Sequence, residues 1–397
     1  MRFIDELDIS GKKLLLRVDF NVPLDGEIIT DDNRIKAAIP TIKYALDNGA
    51  AVIVMAHLGK PKGKKVAEFS LKPAAKRLAE YLGIDVPLAP DCIGTEVEKM
   101  AAALKPGHVL MLENLRFHPE EQGKTPDDRG DFGAKLAALA DIYVNDAFGV
   151  AHRPNSSVVD VPYHAKKCCA GFLLKLEWEN LGEALKNPEK PYIAISGGAK
   201  VSTKLGILNN LIGKVDHFII GGAMANTFLL AQGKNVGKSL VEEGLVDIAR
   251  DILTKAAASG TNLHLPEDFV WGKNIEEAAG ICDADHVPSD GMLLDIGPVS
   301  TQKFCDVISE AKTIVWNGPM GLFEKPAFAE GSLKVCKAMA ESDGTTIVGG
   351  GDTDAVVHKA GLQDDFTFIS TGGGSFLEFL EGKELPAFKA LKENLDK

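Results

Sequence analysis

Short β-branched runs alternate with helix-length amphipathic stretches from one end of this chain to the other, and that alternation leaves few folds open. The strand-like runs are Lys13–Val18, Ala51–Ala56, Val109–Leu112, Ile142–Val144, Tyr192–Ile195, His217–Ile220, Thr313–Trp316, Thr345–Val348 and Thr367–Ile369. Helical patterns cover Leu71–Leu82, Glu96–Leu104, Ala134–Leu139, Ser202–Leu211, Ala223–Ala231, Val246–Ala258 and Ser300–Glu310. Such alternation predicts parallel sheets with helices on both faces. At 397 residues the chain is too long for one ordinary core. The expectation is therefore two doubly wound, Rossmann-like α/β domains joined by a helix, with a cleft between them. The first domain is expected over 1–170, the connecting helix over 171–187 and the second domain over 188–376. The connector is read from Phe172–Leu185, where Phe172, Leu173, Leu176, Leu181 and Leu185 stand among charges and Asn187-Pro188 provides the stop.

Charge and cysteine usage narrow the function classes. A net charge of −12 argues against a dedicated nucleic-acid binder or a protein of anionic membranes. The N-terminus lacks the apolar core of a signal peptide, and no apolar stretch is long enough to span a bilayer. Six cysteines without C-x-x-C spacing fit a reducing cytoplasm better than secretion or structural zinc. No sustained heptads or long exposed apolar run demand an oligomer, so a monomer is expected.

In a parallel sheet, ligands bind beyond the carboxyl ends of the strands. In the first half those ends carry ionic side chains: Arg17-Val-Asp19-Phe20-Asn21, with Arg34 close behind, Ala56-His57-Leu58-Gly59-Lys60, Glu113-Asn-Leu-Arg116, and Asn145-Asp146 followed by His152-Arg153. Gathered on one edge, they make a cationic pocket, and arginine's planar fork suits phosphate and carboxylate. In the second half the ends carry glycine: Ser196-Gly197-Gly-Ala199-Lys200, Gly221-Gly222, Asn317-Gly-Pro319, Gly349-Gly350-Gly351-Asp352-Thr353 and Thr371-Gly-Gly373-Gly. A strand, a glycine turn and a helix N-terminus bring backbone N–H groups and a positive dipole end to one point, which suits a polyphosphate. Lys200 and Lys204 are placed to reach phosphate oxygens, and Asp352 to hold Mg²⁺. Gly233-Lys-Asn-Val-Gly237-Lys-Ser239 imitates a Walker A loop but is one residue short between its glycines. No dinucleotide fingerprint follows a first strand, which weighs against a dehydrogenase. A non-catalytic anion-binding protein would not need two unlike phosphate surfaces.

These segments, in this order, resemble the phosphoglycerate kinase family along the whole chain. The resemblance implies reversible transfer of the acyl phosphate of 1,3-bisphosphoglycerate to Mg-ADP, giving 3-phosphoglycerate and ATP. It implies a substrate site of Asp19, Phe20, Asn21, Arg34, His57, Leu58, Gly59, Lys60, Arg116 and Arg153. The nucleotide site would comprise Gly197, Ala199, Lys200, Lys204, Gly222, Asn317, Pro319, Glu324, Gly350, Gly351, Asp352 and Thr353, with Asp352 on the metal. It also implies that a C-terminal segment, 377–397, returns to the first domain. The nucleophile and the leaving carboxylate are both anions, so the chemistry calls for cations rather than a general base. Arg34, Lys200 and the backbone at Gly373 are the expected catalytic groups. Two departures stand out: Lys60 where the family carries arginine, and Pro154-Asn155 where it carries Ala-His. Asp354 reads as a solvated first-turn acid.

Overall fold

The computed structural model describes residues 1–183 and 185–395. Residue 184 of the expected connector and residues 396 and 397 of the expected C-terminal segment lie outside the described residues. The chain divides into two compact units, Met1–Glu179 with Glu384–Lys397, and Asn180–Lys383.

Unit 1 is built on five parallel strands, β1 (Lys13–Val18), β2 (Ala51–Met55), β3 (Val109–Met111), β4 (Ile142–Asp146) and β5 (Cys168–Ala170). Their order is β3-β2-β1-β4-β5. Helices cover both faces, so the strands are apolar throughout instead of alternating, and every residue of β2 and β3 is buried. Leu14, Leu16, Val52, Val54, Val109, Ile142 and Val144 form the sheet's share of one core. Helix Asn33–Asp47 adds Ile35, Ala38, Ile42 and Ala45 to it. Strand order reverses around β1. Successive crossovers therefore diverge there and leave the carboxyl ends of β1, β2 and β4 open to a ligand.

Unit 2 repeats the plan. Its strands are β6 (Tyr192–Ser196), β7 (His217–Ile220) and β8 (Asn262–His264). A small antiparallel sheet of β9 (Asp268–Gly272), β10 (Gly280–Asp283) and β11 (Met292–Ile296) then intervenes. The main sheet resumes with β12 (Thr313–Asn317), β13 (Thr345–Val348) and β14 (Phe368–Ile369). The parallel order is β8-β7-β6-β12-β13-β14, again reversing around its first strand.

Three differences from the sequence reading have physical causes. β4, β6 and β12 run on through Asp146, Ser196 and Asn317, because polar residues stay in the ladder where the sheet edge meets the site. β5, β8 and the antiparallel insert escaped notice, being short or poor in β-branched residues. The expected connecting helix is α-helical only over Phe172–Glu177 and then widens to a π-helix over Trp178–Glu183. The division between units falls inside that wider turn.

Helix Pro386–Glu393 completes unit 1. Phe388 stacks on Phe148 at 6.2 Å and meets Trp178 edge-on at 5.0 Å. Ala387 N–H donates to the Ala151 carbonyl at 3.0 Å. Phe388 and Leu391 are fully buried, each worth roughly 1.5–3 kcal/mol by area removed from water.

Candidate functional site

At the carboxyl edge of unit 1, Arg17 is completely buried although it lies in an apolar strand. Its charge is balanced by buried Glu121 at 3.9 Å, and its Nε donates to Ser157 Oγ at 3.0 Å. Its Nη1 donates to the Val18 carbonyl. Nη2 donates to His57 Nδ1 at 3.2 Å. A guanidinium has no acceptor, so Nδ1 must be the lone-pair nitrogen and the ring carries its proton on Nε2. Burial and the charges of Arg17, Arg116, Arg153 and Arg34 hold His57 well below its ordinary value, so it is neutral. Four arginines thus act electrostatically on one imidazole, and Arg17 touches it directly.

Backbone and amide groups fix the rest of this edge. Arg34, partly exposed on the first turn of its helix, donates to Asp19 Oδ2 and to the Asn21 carbonyl, both at 3.1 Å. Asn21 Oδ1 receives Gly59 N–H at 2.8 Å, joining the loops after β1 and β2. Asn114 spans the loops after β2 and β3, accepting from Leu58 N–H and donating to the Leu58 carbonyl. Phe20 and Leu58 are buried beneath these loops, and Lys60 is exposed at their rim. Arg116 donates through Nη1 to the Gly59 carbonyl at 2.7 Å, whereas Nε and Nη2 are buried with no partner among the described residues. Burial and the charges of Arg153 and Arg17 push Arg116 down to about 10, so it remains a cation. A buried donor left unpaired costs about 1–3 kcal/mol, more when charged, so this position favours an anion.

Asp146 closes β4 beside this edge. Its Oδ1 accepts Leu174 N–H at 3.2 Å at the start of helix Phe172–Glu177, while Oδ2 is buried with no well-formed hydrogen bond among the described residues. Burial pushes the carboxyl up to about 7 from an ordinary 3.8, against the hydrogen bonds of Thr41, Leu174 and Leu173. A carboxyl raised in this way contributes stability that is complete below its unfolded value and is lost as pH rises through about 7. Denaturation of Asp146→Asn across pH 4 to 7 is accordingly expected to show a flatter stability profile than the parent. Some slope remains from Asp295, also raised to about 7 by burial. An unchanged slope would mean that Asp146 is ionised in the fold.

Unit 2 builds its edge from backbone. The loops after β6, β7 and β12 interlock so closely that a Cβ added at Gly197 would lie 2.0 Å from the Pro319 carbonyl oxygen. One added at Gly222, where φ is +65°, would lie 2.5 Å from Gly198 N. Gly197 N–H donates to the Asn317 carbonyl and Gly198 N–H to that of Pro319, both at 3.0 Å. Asn317 is the hub: Lys204 Nζ donates to its Oδ1, and its Nδ2 donates to the Gly349 carbonyl at 2.6 Å. Burial lowers Lys204 to about 8, partly opposed by Asp352 and Glu381, leaving it largely protonated at neutral pH. Helices Gly351–Ala360 and Gly373–Leu380 begin side by side, since a Cβ on Gly373 would lie 4.0 Å from both Gly350 Cα and Gly351 N. Two dipole ends and a buried ammonium thus meet at one sheet edge, a strong trap for phosphate. Thr353 Oγ1 accepts Gly318 N–H at 2.7 Å and locks the first of these helices to the β12 loop.

The sequence-derived residues therefore form two groups, one in each unit. Ala199, Lys200, Glu324 and Asp352 are exposed around the second. No hydrogen bond or ion pair ties the side chain of Lys200 or Glu324 to it among the described residues. Asp354 faces His358 Nδ1 at 3.1 Å one turn on, as a first-turn acid would. Sequence reasoning counted Arg17 among the cations of this edge without foreseeing its burial against Glu121, and it assigned no role to Glu121, Ser157 or Asn114. Arginine inside Leu14-Leu-Leu-Arg-Val was a usable signal; Glu121, in a charged loop, offered none.

Known proteins resemble this chain along nearly its whole length. The family model described as Phosphoglycerate kinase matches residues 4–383. The phosphoglycerate kinase of Maridesulfovibrio salexigens is 81% identical over 395 residues, covering 99% of this chain and 100% of the relative. That of Chloroherpeton thalassium is 51% identical, covering 98% of each. Among solved structures, phosphoglycerate kinase from Coxiella burnetii superposes with a TM-score of 0.90 at 41% identity, covering 99% of this chain and 98% of that one. The enzyme from Pyrococcus horikoshii OT3 gives 0.86 at 33% identity, covering 99% of each.

Proposed function

The chain belongs to the phosphoglycerate kinase family, and we propose that unit 1 holds its glycerate substrate while unit 2 holds its nucleotide. It is a phosphotransferase of glycolysis, moving the acyl phosphate of 1,3-bisphosphoglycerate reversibly to ADP to give 3-phosphoglycerate and ATP. The observation that carries the assignment of units is Arg116, whose two buried donors lack partners among the described residues, at an edge where the charges of four arginines keep His57 neutral. Arg116, Arg153 and Arg34 take the substrate's phosphate and carboxylate, and His57 Nε2–H donates to an oxygen. Asp19 and Asn21, already oriented by Arg34 and Gly59, orient the substrate's hydroxyl. In unit 2, Lys204, Asn317 and the paired helix ends hold nucleotide phosphates.

The transferring phosphoryl group passes through a loose transition state, with charge spread over its oxygens. Cations and oriented N–H groups stabilise that charge; no group need accept a proton. Arg34 supplies a cation from unit 1, while Lys200 and the N–H groups near Gly373 act from unit 2. Magnesium fits beside them. Asp352 is an exposed carboxylate on the first turn above the phosphate trap, and Mg²⁺ takes one or two carboxylates with phosphate oxygens and waters. When bound, the ion neutralises charge on the nucleotide's phosphates. Water competes with ADP for the acyl phosphate, so we propose hinge closure on binding both substrates. Small-angle scattering should show a smaller radius of gyration with both ligands, and an unchanged radius would defeat that element. We further propose a cytoplasmic monomer without nucleic-acid or membrane partners, supported by the net charge of −12 and six free cysteines. No helix among the described residues is long and apolar enough to cross a membrane.

Purified protein is expected to form ADP from ATP and 3-phosphoglycerate with Mg²⁺ in a coupled assay. A folded protein inactive in both directions would remove the reading. Arg116→Ala should raise KM for 3-phosphoglycerate by roughly tenfold to a hundredfold, the value of charge-assisted hydrogen bonds, and leave KM for ATP unchanged. Equal effects on both substrates would place Arg116 in a structural role instead.

A further inference from the structure

Away from the two phosphate-handling edges, Asp91, Cys92 and His118 bring a carboxylate, a thiol and an imidazole together, with one ligand atom of each within 4.8 Å of the others. We propose that this triad binds a thiophilic divalent cation of the zinc class. His118 Nε2 lies 2.7 Å from Asp91 Oδ1, and Cys92 Sγ lies 3.6 Å from the same oxygen. With metal–ligand bonds of about 2.0–2.3 Å, ligands of a tetrahedral zinc stand roughly 3.3–3.8 Å apart. Shifts of about an ångström or less would seat the ion, with water at the fourth corner.

The surrounding structure holds the triad in place. Asp91 Oδ1 is bent over its own chain by Cys92 N–H at 2.7 Å, and the Asp91 carbonyl accepts Glu113 N–H. The preceding loop is pinned to the β3 strand by the bridge between Leu88 and Met111. The His118 ring stacks on Phe132, with centroids 5.1 Å apart and planes 26° from parallel. The Asp91 and His118 side chains remain 39% and 22% exposed, giving an ion its entry, while buried Cys92 forms the floor. On binding, the sulfur–metal bond replaces the S–H bond and the proton leaves to solvent, with no change of oxidation state. Magnesium, which requires oxygen ligands in octahedral array, is excluded by this donor set. Because His118 lies two residues beyond Arg116, the cation would tie the substrate-binding turn to the Asp91–Cys92 loop. The spacing of Cys92 and His118 follows no zinc motif, so only the fold brings them together.

The test uses the full-length protein freed of metal by chelator and titrated with Co²⁺. The site predicts one equivalent bound with a sulfur-to-cobalt charge-transfer band, displaced by Zn²⁺ and untouched by excess Mg²⁺. Cys92→Ser should abolish the band, and His118→Asn should weaken Co²⁺ binding at least about tenfold with circular dichroism unchanged. Absence of the band at one equivalent would overturn the proposal, as would its survival in Cys92→Ser, which would put the sulfur elsewhere. If Cys92→Ser does not fold, His118→Asn decides alone, and an unchanged affinity refutes the site.

Discussion

Lys200→Ala is expected to lower kcat by about a hundredfold to a thousandfold while KM for ADP changes only a few fold. Lys200 follows the Gly197-Gly-Ala199 turn, and its side chain is exposed with no ion pair among the described residues. An ammonium with no hydrogen bond or ion pair among the described residues is available to the group in flight, unlike Lys204, which Asn317 already holds. Charge on the transferring oxygens is greatest in the transition state, so losing this cation should appear in kcat first. Steady-state kinetics of the variant in both directions would check this. Equal losses in kcat/KM and nucleotide affinity would make Lys200 a binding group only.

The second large effect is expected at Gly197. Its missing Cβ is the space occupied by the Pro319 carbonyl oxygen, with that of Gly318 2.6 Å away. Both obstacles are backbone, so Gly197→Ala must push the β6 and β12 loops apart. It would strain the hydrogen bonds of Gly197 and Gly198 to Asn317 and Pro319. A loss of about 3 kcal/mol in unfolding free energy is expected, together with nucleotide affinity. Gly351→Ala is the control, because a Cβ there meets nothing within 4 Å and its stability should match the parent's. Paired denaturation curves separate close approach from a general intolerance of side chains in glycine turns.

Much of this arrangement is legible in the sequence. Apolar runs without alternation announced strands buried on both faces, and β1, β7 and β13 fall where Leu14-Leu-Leu, Phe218-Ile-Ile and Thr346-Ile-Val placed them. The unlike chemistry of the two sets of strand ends was equally visible, since arginines and triple glycines need no neighbours to be noticed. What stayed hidden depends on distant contacts. Glu121 is a buried counterion only because Arg17 comes to meet it, and Cys168–Ala170 is a strand only because β4 is there to pair with. The wide turn over Trp178–Glu183 has an ordinary helical pattern and differs only in its hydrogen-bond ladder.

The helix Pro386–Glu393 has a consequence for how the protein is made. Unit 1 needs Phe388 and Leu391 in its core, yet the whole of Asn180–Lys383 is synthesised between Glu179 and that helix. At roughly 5–20 residues per second, this leaves unit 1 waiting for about ten to forty seconds on the ribosome with an apolar face uncovered. Unit 2, whose sequence is continuous, has no such wait. The nascent N-terminal half is therefore the stage at which chaperones and proteases would meet an incomplete core, although it is the first half to emerge.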